Sequence, residues 1–479
     1  MRVLLVLPLM NQIRHFESVV LALAEAGHTL EVATPGRRNE WPLPDRLAAH
    51  PRISHIICPA SREDEWKHAA IDFRLMVDAA HYLEAPFLPA DKLRERACRE
   101  FAEVLSNGEK RHLSARCPSC NTKLVDDRLT PMIPSVGAGG AARLKDLARL
   151  IEQAIPSDAG REKFLRSRRP DIVLVSPLIF LASDQADWVK SARALDIPVG
   201  YPVFSWDNLT TKGIVHVQPD RVFVWNDIQK REAIEYHGVP EDRIVVTGAP
   251  RFDAFFAMKP SMDRARFCER HRLDPAAPIL TYLCSSDFVA GHEVEFIERW
   301  IAEIRREPAL AACNVVVRPH PRSLHQWRKV DVSGWGRVGL SVSRRLNADQ
   351  SLYDTLFHCE AVIGLNTSAQ IEAGILGKPV FTLLAPGFER GQQGTLHFKY
   401  LLREGGGFVE VAKDFDEHCR HLVDAIEGRY DREHIRRFLE AFIRPAGWDR
   451  PATPILADAI LQLAPPRQSI VRRLLRVTR

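Results

Sequence analysis

Hydrophobic and polar positions follow two periods along this chain, and they change over in a regular order. Val3 to Leu7 is an unbroken apolar run, as expected of a strand buried on both faces of a parallel sheet. Phe16 to Ala26 places Val19, Val20, Leu23 and Ala24 at helical spacing, Gly27 stops that helix, and Leu30-Glu31-Val32-Ala33 begins the next strand. A third strand is predicted over Ile53 to Cys58. Strand, helix and strand in this order predict a doubly wound sheet. Residues 60–160 break the rhythm: they are charged and mostly helical, with a polar loop around 107–136. Gly137-Ala138-Gly139-Gly140 follows no strand and reads as a linker rather than a phosphate loop. The segment is expected to be a helical insertion over one face of the first domain.

The α/β pattern resumes at Asp171 to Val175, continues through a helix at Trp188 and Ala194, and gives the strand Ile197 to Phe204. Arg221 to Val224 and Arg243 to Val246 read as two short strands, and Gly248-Ala249-Pro250 is turn chemistry suited to a hinge. A second series starts at Ile279 to Leu283 and runs through Asn314 to Val317, Ala361 to Gly364 and Pro379 to Thr382. The expected fold is therefore α/β, with two Rossmann-like domains facing a cleft. Residues 1–247 form the first, 248–430 the second, 431–466 a helical return segment and 467–479 a basic amphipathic tail. A chain of 479 residues is long enough for two cores of ordinary size.

Composition narrows the class. With 46% hydrophobic and 27% charged residues the chain is that of a soluble globular protein. The first apolar run is short and is followed by Asn11, Arg14 and His15, unlike a signal peptide, and no run approaches the roughly 18 apolar residues of a membrane span. A cytoplasmic protein with reduced thiols is expected. Of nine cysteines, Cys58, Cys268, Cys284, Cys313 and Cys359 lie in or beside apolar segments as core fillers. Cys117 and Cys120 have metal-ligand spacing, with His112 nearby, but no second pair follows at a distance that would complete a zinc site. No Asp-x-Asp pair occurs in the candidate loops, so neither a metal nor a resident cofactor is implied. The net charge of +5 is matched by five arginines within 467–479, which leaves the rest of the chain neutral and argues against a nucleic-acid partner. Ile470, Val471, Leu474 and Val477 form an apolar stripe bordered by Arg472, Arg473 and Arg476, so the tail is expected to dock on an anionic membrane surface, peripheral to the inner face of the cytoplasmic membrane.

Candidate chemistry gathers at the carboxyl ends of predicted strands. Arg318-Pro319-His320-Pro321-Arg322 offers donors suited to phosphate on a backbone stiffened by two prolines. Thr367 and Ser368 open a helix after the strand that ends at Gly364, where hydroxyls would cap the helix and an anion could bind. Glu372 lies one turn further on and suits paired ribose hydroxyls. Ser285 and Ser286 close the first strand of the second domain, where a diphosphate would approach. On the first domain, Phe204 to Gly213 packs Trp206, Asp207, Asn208, two threonines and Lys212 into one loop. Asp207 can serve as general base towards an acceptor hydroxyl, Lys212 can offset phosphate charge, and His15 is a second candidate base.

Together these stretches resemble GT-B glycosyltransferases, many of which begin with a strand, a histidine, a helix and a Gly-His pair like Gly27-His28. The closer similarity is to polymer-forming transferases of the bacterial surface, including the CDP-glycerol glycerophosphotransferases and capsule-type transferases. Those enzymes carry Trp-His-Gly-Thr-Pro-x-Lys, Gly-x-Pro-Arg-x-Asp, a His-Pro loop, a Ser-Ser helix start and Lys-Pro-Val. This chain has Trp206 to Lys212, Gly248-Ala249-Pro250-Arg251-Phe252-Asp253, His320-Pro321, Thr367-Ser368 and Lys378-Pro379-Val380 in the same order over roughly 200–385. The family's loop histidine is Asp207 here, so the resemblance carries the fold and the nucleotide-donor chemistry but not glycerol phosphate as the transferred group. It implies transfer of a sugar from a nucleotide-sugar donor to a glycan or lipid-linked acceptor of a surface polysaccharide. The alternatives are a catalytically silent scaffold of the same fold and a UDP-sugar 2-epimerase, although the epimerase stretch Gly-Glu-x-x-Arg-Arg-Glu-Asn is missing.

Overall fold

In the computed structural model, residues 1–36, 41–107, 137–342 and 348–464 are described. Cys117, Cys120 and the tail 467–479 lie outside the described residues, and so do the expectations placed on them. Seven strands form the first sheet: β1 (Arg2–Val6), β2 (Thr29–Thr34), β3 (Ile53–Ile57), β4 (Ile172–Val175), β5 (Val199–Pro202), β6 (Arg221–Val224) and β7 (Ile244–Val246). Six form the second: β8 (Ile279–Leu283), β9 (Asn314–Arg318), β10 (Val338–Leu340), β11 (Ala361–Ile363), β12 (Val380–Leu383) and β13 (Val409–Ala412). The orders are β3-β2-β1-β4-β5-β6-β7 and β10-β9-β8-β11-β12-β13. Neighbours run parallel throughout, with Val3 opposite both Leu30 and Ile172, and Leu280 opposite both Val315 and Ala361. The two Rossmann-like domains expected from the periodicity are both present.

Each sheet is apolar on both faces because helices cover both. Leu4, Val6 and Val173 pack on one side of the first sheet with Trp188 and Val189, while Val3, Leu5 and Leu174 pack on the other with Val19, Val20 and Leu23. A sheet buried in this way needs no polar alternation, which is why its strands read as continuous apolar runs. β10 and β13 escaped the sequence reading because they are short edge strands, and Gly339 and Glu410 interrupt their apolar character.

The insertion is helical, with helices Trp66–Tyr82, Asp91–Asn107 and Gly137–Ala154. The glycine stretch expected to be a linker instead opens the last of these, since the apolar positions that follow provide a packing face that outweighs the poor helix propensity of glycine. A buried ionic group fixes the insertion to the domain. Arg74 donates to Glu152 at 2.9 Å and to Asp187 at 2.8 Å, and Arg62 and Arg161 each lie 3.1 Å from Asp187. Three guanidinium groups around one buried carboxylate leave it well compensated, and Asp187 is accordingly held below the usual carboxylate range despite its burial.

The chain passes between domains twice, at adjacent places. It first crosses at 247–253, where Gly248 adopts φ +82° and a Cβ there would stand 2.9 Å from the Ile443 carbonyl. It crosses back at 444–452, later than the predicted boundary at 431: helix Arg432–Ile443 still buries Ile435, Leu439 and Phe442 in the second domain's core. Helix Ala452–Leu461 then rests on the first domain, through Leu456, Ala457 and Ile460. Asp253 ties both crossings. Its carboxylate accepts from Arg444 at 2.7 Å and from the Thr453 backbone N–H at 2.7 Å.

Candidate active site

Both strand orders reverse between the first and the fourth strand of the domain in sequence, β1 against β4 and β8 against β11. The carboxyl ends at such reversals are where open α/β sheets bind ligands. The segment after β1 forms a short 3-10 turn, Met10–His15, which presents Arg14. Arg14 lies within electrostatic reach of Arg251, Arg322, Asp349 and Glu372, so the first domain's strand-end turn and the second domain's strand-end loops share one cleft.

On the second-domain wall, Glu372 is buried and its Oε1 accepts from Arg251 Nη2 at 2.9 Å. Its Oε2 is enclosed with no hydrogen-bond partner among the described residues. Burial pushes this carboxyl above the ordinary glutamate value, and Arg251 opposes the shift. His320 accepts the Arg322 backbone N–H at Nδ1, 3.1 Å away, which leaves Nε2 as the nitrogen that carries the proton. Burial, with Arg322 beside it, pushes the His320 ring down to about 4, so it is a neutral donor. Arg318 is more committed: its Nη1 bonds Ser341 and Ser351 at 3.0 Å each, and its Nη2 bonds the Ala348 carbonyl at 2.9 Å.

The serine and threonine candidates separate. Ser285 is fully buried, its N–H donates to Glu293 at 2.7 Å, and its Oγ accepts from the Asn366 N–H at 3.3 Å, so it braces two strand-end loops. Ser286 and Thr367 are partly exposed, and no side-chain hydrogen bond of theirs is formed within the described residues. Ser368 stands at the N-cap of helix Ala369–Ile375 without a side-chain capping bond. Gln370 folds back instead, its Oε1 facing the Thr367 N–H at 3.4 Å and its Nε2 donating to the Gly364 carbonyl at 3.0 Å. The hydroxyls expected to cap the helix therefore do not perform that role.

On the first-domain wall the loop after β5 is held at both ends. Gln229 Nε2 donates to the Ser205 carbonyl and His237 Nε2 contacts the Leu209 carbonyl, each at 2.9 Å. Asp78, from the insertion, accepts the Ile214 N–H at 2.9 Å, and Gly213 lets it approach, since a Cβ there would stand 2.7 Å from Asp78 Oδ1. Within this frame Asp207 accepts from Ser205 Oγ at 2.5 Å and lies 3.1 Å from Thr211 Oγ1. Burial acts to raise the Asp207 carboxyl, but Lys212, His397 and these hydroxyls outweigh it and hold it below the usual value. Lys212 is itself pushed down by burial, with Asp207 opposing. His15 is buried against Phe204, ring centroids 4.5 Å apart, and lies 3.4 Å from Arg14 Nε. Burial and the two arginines keep it neutral, and its Nε2 is turned towards the Arg14 N–H.

Sequence reasoning had no reason to single out His397. Its ring meets the Trp206 indole edge-on, centroids 4.6 Å apart at 86°. It lies in the irregular stretch 391–407, where no period marks a strand end. Arg251 entered only as part of a motif, and the pairing with Glu372 could not be seen without the fold. Of the motif residues, Asp253 and Lys378 have structural partners: Lys378 Nζ donates to the Phe357 and Cys359 carbonyls at 2.9 and 2.6 Å, at the end of helix Ala348–His358. Among the described residues no group of three metal-ligating side chains occurs, and no helix is long and apolar enough to cross a membrane.

No protein-family model and no curated protein matches the chain in sequence. Solved structures do match in shape. A UDP-GlcNAc 2-epimerase from Neisseria meningitidis bound to UDP-GlcNAc superposes with a TM-score of 0.51 at 14% identity, over 96% of this chain and 100% of that one. A glycosyltransferase from Rickettsia africae gives 0.51 at 11% identity, over 96% and 98%. The S. aureus MnaA structure with UDP gives 0.50 at 13% identity, over 98% and 99%. These likenesses show the fold, two Rossmann-like domains of the GT-B type.

Proposed function

We propose that this protein is a glycosyltransferase that takes its sugar from a nucleotide-sugar donor. The observation that carries the reading is the Glu372 carboxyl, enclosed with one oxygen lacking a partner, beside Arg251 and within reach of Arg14, which in turn lies near Arg322. A nucleoside diphosphate combines two hydroxyl donors on its ribose with a polyanion a few ångströms away, and so matches a buried acceptor set among cations. The diphosphate would take its hydrogen bonds from Arg14, Arg251, Arg322 and neutral His320, and from the hydroxyls of Ser286, Thr367 and Ser368. Asp207, held ionised on the opposite wall, would stand towards an incoming acceptor hydroxyl. The donor is a substrate, and no resident cofactor or metal forms part of the proposal.

The motif order supports a place among transferases of the bacterial surface, with a glycan or lipid-linked acceptor reached at the membrane through the basic tail. A thermal-shift panel of UDP-, GDP-, CMP- and CDP-linked donors tests the reading. One class should stabilise the protein, by about 2.7 kcal/mol at a hundredfold excess over Kd, and the Glu372→Ala protein should lose that response. A panel with no response sinks the proposal.

The fold likeness to UDP-GlcNAc 2-epimerases favours a second reading, inversion at C2 of a UDP-linked sugar. Incubation with UDP-GlcNAc separates them: the epimerase yields a second UDP-sugar without an acceptor, whereas the transferase releases UDP when acceptor is supplied.

A further inference from the structure

We infer that His397, carried by the second domain, is the group that takes the acceptor's proton, and that Asp207 of the first domain holds the imidazolium so formed. The inference rests on the glycosyl-transfer reading above and names a second participant at the same site.

The position of His397 is built. Asn366 Nδ2, from the strand-end loop that also carries Thr367, donates to the Gly391 carbonyl at 2.8 Å. Gln392 Nε2 donates to the Leu383 carbonyl at 3.0 Å, and Thr395 Oγ1 to the Gln392 carbonyl at 2.8 Å. A Cβ on Gly391 would stand 2.2 Å from the Val289 carbonyl, so only glycine lets this segment lie against the loop after β8. The segment thus delivers one imidazole across the cleft onto Trp206, the residue before Asp207.

The ring is 7% exposed, and among the described residues neither nitrogen has a hydrogen-bond partner. Nδ1 is fully enclosed, while Nε2 is not closed off in this way. Buried polar atoms without partners are rare, and a ligand group is one way to satisfy them. A ring kept only to pack on Trp206 would be served better by phenylalanine, which has no nitrogen to desolvate.

Asp207 alone is a poor proton acceptor, because Ser205, Thr211 and Lys212 already stabilise its ionised form. His397 is a neutral base with a lone pair. The charged groups that reach it are Asp207, which raises its proton affinity, and Lys212, which lowers it; burial is the larger effect and takes the ring down to about 4. A bound diphosphate places negative charge near Lys212 and Arg322 and so raises the ring again. His397 therefore becomes basic when donor is present. In the step itself the acceptor O–H breaks and its proton joins Nε2. The acceptor oxygen bonds the anomeric carbon, and the bond from that carbon to the diphosphate oxygen breaks, its electron pair leaving with the diphosphate. Asp207 then faces an imidazolium rather than a neutral ring, an interaction made only as the reaction proceeds.

The test uses the full chain with ¹⁵N-labelled histidine, the His397 signals being assigned by their loss in His397→Phe. The ring should titrate below the ordinary histidine range, move lower still in Asp207→Asn, and move up when the nucleotide of the donor class chosen by the thermal-shift panel is added to the wild type. Turnover of the donor chosen by the thermal-shift panel should fall about 10²–10⁴-fold in both His397→Gln and His397→Phe, with affinity for that donor's nucleotide within about threefold. Full turnover in His397→Phe would show that the ring only packs on Trp206 and would overturn the proposal, as would a ring titration that ignores Asp207→Asn. A wild type that binds no nucleotide overturns the transfer reading itself. That failure is distinguishable, because the coupling of His397 to Asp207 is measured without ligand.

Discussion

Asp207 and Glu372 stand on opposite walls of one cleft, both sheltered from bulk water, and their surroundings move them in opposite directions. Asp207 has two hydroxyl contacts with Lys212 and His397 close by, and its charge is stabilised before any ligand arrives. Glu372 has one partner, Arg251, one enclosed oxygen with none, and a proton affinity raised by burial. The first wall is finished and the second is incomplete. On the proposed function, that difference separates a group organised for a transition state from one organised for a ligand, since only the latter gains by being left unsatisfied in the free protein.

The largest effect should come from the finished wall. Asp207→Asn keeps the loop's shape and removes its charge, and turnover should fall about 10²–10⁴-fold with donor affinity nearly unchanged; steady-state kinetics beside calorimetry would show it, and near-normal turnover would break the comparison. Asp253 sharpens it, being another well-partnered carboxylate but one with no part in binding. Asp253→Ala leaves the mostly buried Arg444 guanidinium without its carboxylate, and should cost about 3 kcal/mol of stability in denaturant unfolding, while donor affinity of the folded protein stays unchanged. On the incomplete wall, Glu372→Ala should weaken donor binding about ten- to a hundredfold, as expected for loss of about 1.5–3 kcal/mol of charged hydrogen bonding. Unchanged affinity in calorimetry would remove Glu372 from the site.

The smallest effect concerns Glu293, whose carboxyl resembles that of Glu372 in having burial as its main perturbation, to about 8 from 4.5. The folded protein holds this proton more tightly than the unfolded chain. Its stabilising contribution is therefore complete below about pH 4.5 and is lost as pH rises towards about 8. Glu293→Gln imitates the neutral acid: its carbonyl can still accept from Ser285 N–H and its amide can donate to Tyr282. Melting temperature should decline less steeply between those pH values in the variant, and parallel curves would refute the assignment.

What could be read in advance follows from the range of the interactions involved. The strands of both sheets were legible because parallel strands covered on two faces must be apolar along their whole length, as in Val3 to Leu7 and Ile279 to Leu283. Loops at strand ends were legible for the same reason, and they brought in Arg318, His320, Glu372 and Asp207. Pairing between distant segments was not. Arg251 meets Glu372 across 121 positions of chain, Asp78 meets Ile214 across 136, and His397 approaches Trp206 from a stretch without periodicity. No local pattern encodes such meetings. The same holds for Asp253 and Lys378, which a motif groups with the site but which the fold employs to hold chain crossings and a helix end.

The two adjacent crossings have a mechanical consequence. Two strands of chain that pass side by side between rigid bodies, clasped by Asp253, Arg444 and Thr453, resist sliding and twisting, because either motion would stretch one crossing against the other. Bending about the line through both changes neither length. Motion between the two halves is thereby restricted to one rotation, a swing like that of a door on paired hinges, in which the parts furthest from the axis would travel furthest. Lys92 on the insertion and the Phe288 carbonyl on the second domain, 2.7 Å apart, lie on opposite leaves of that door. A single distance measured between those two positions would report the angle of the whole molecule.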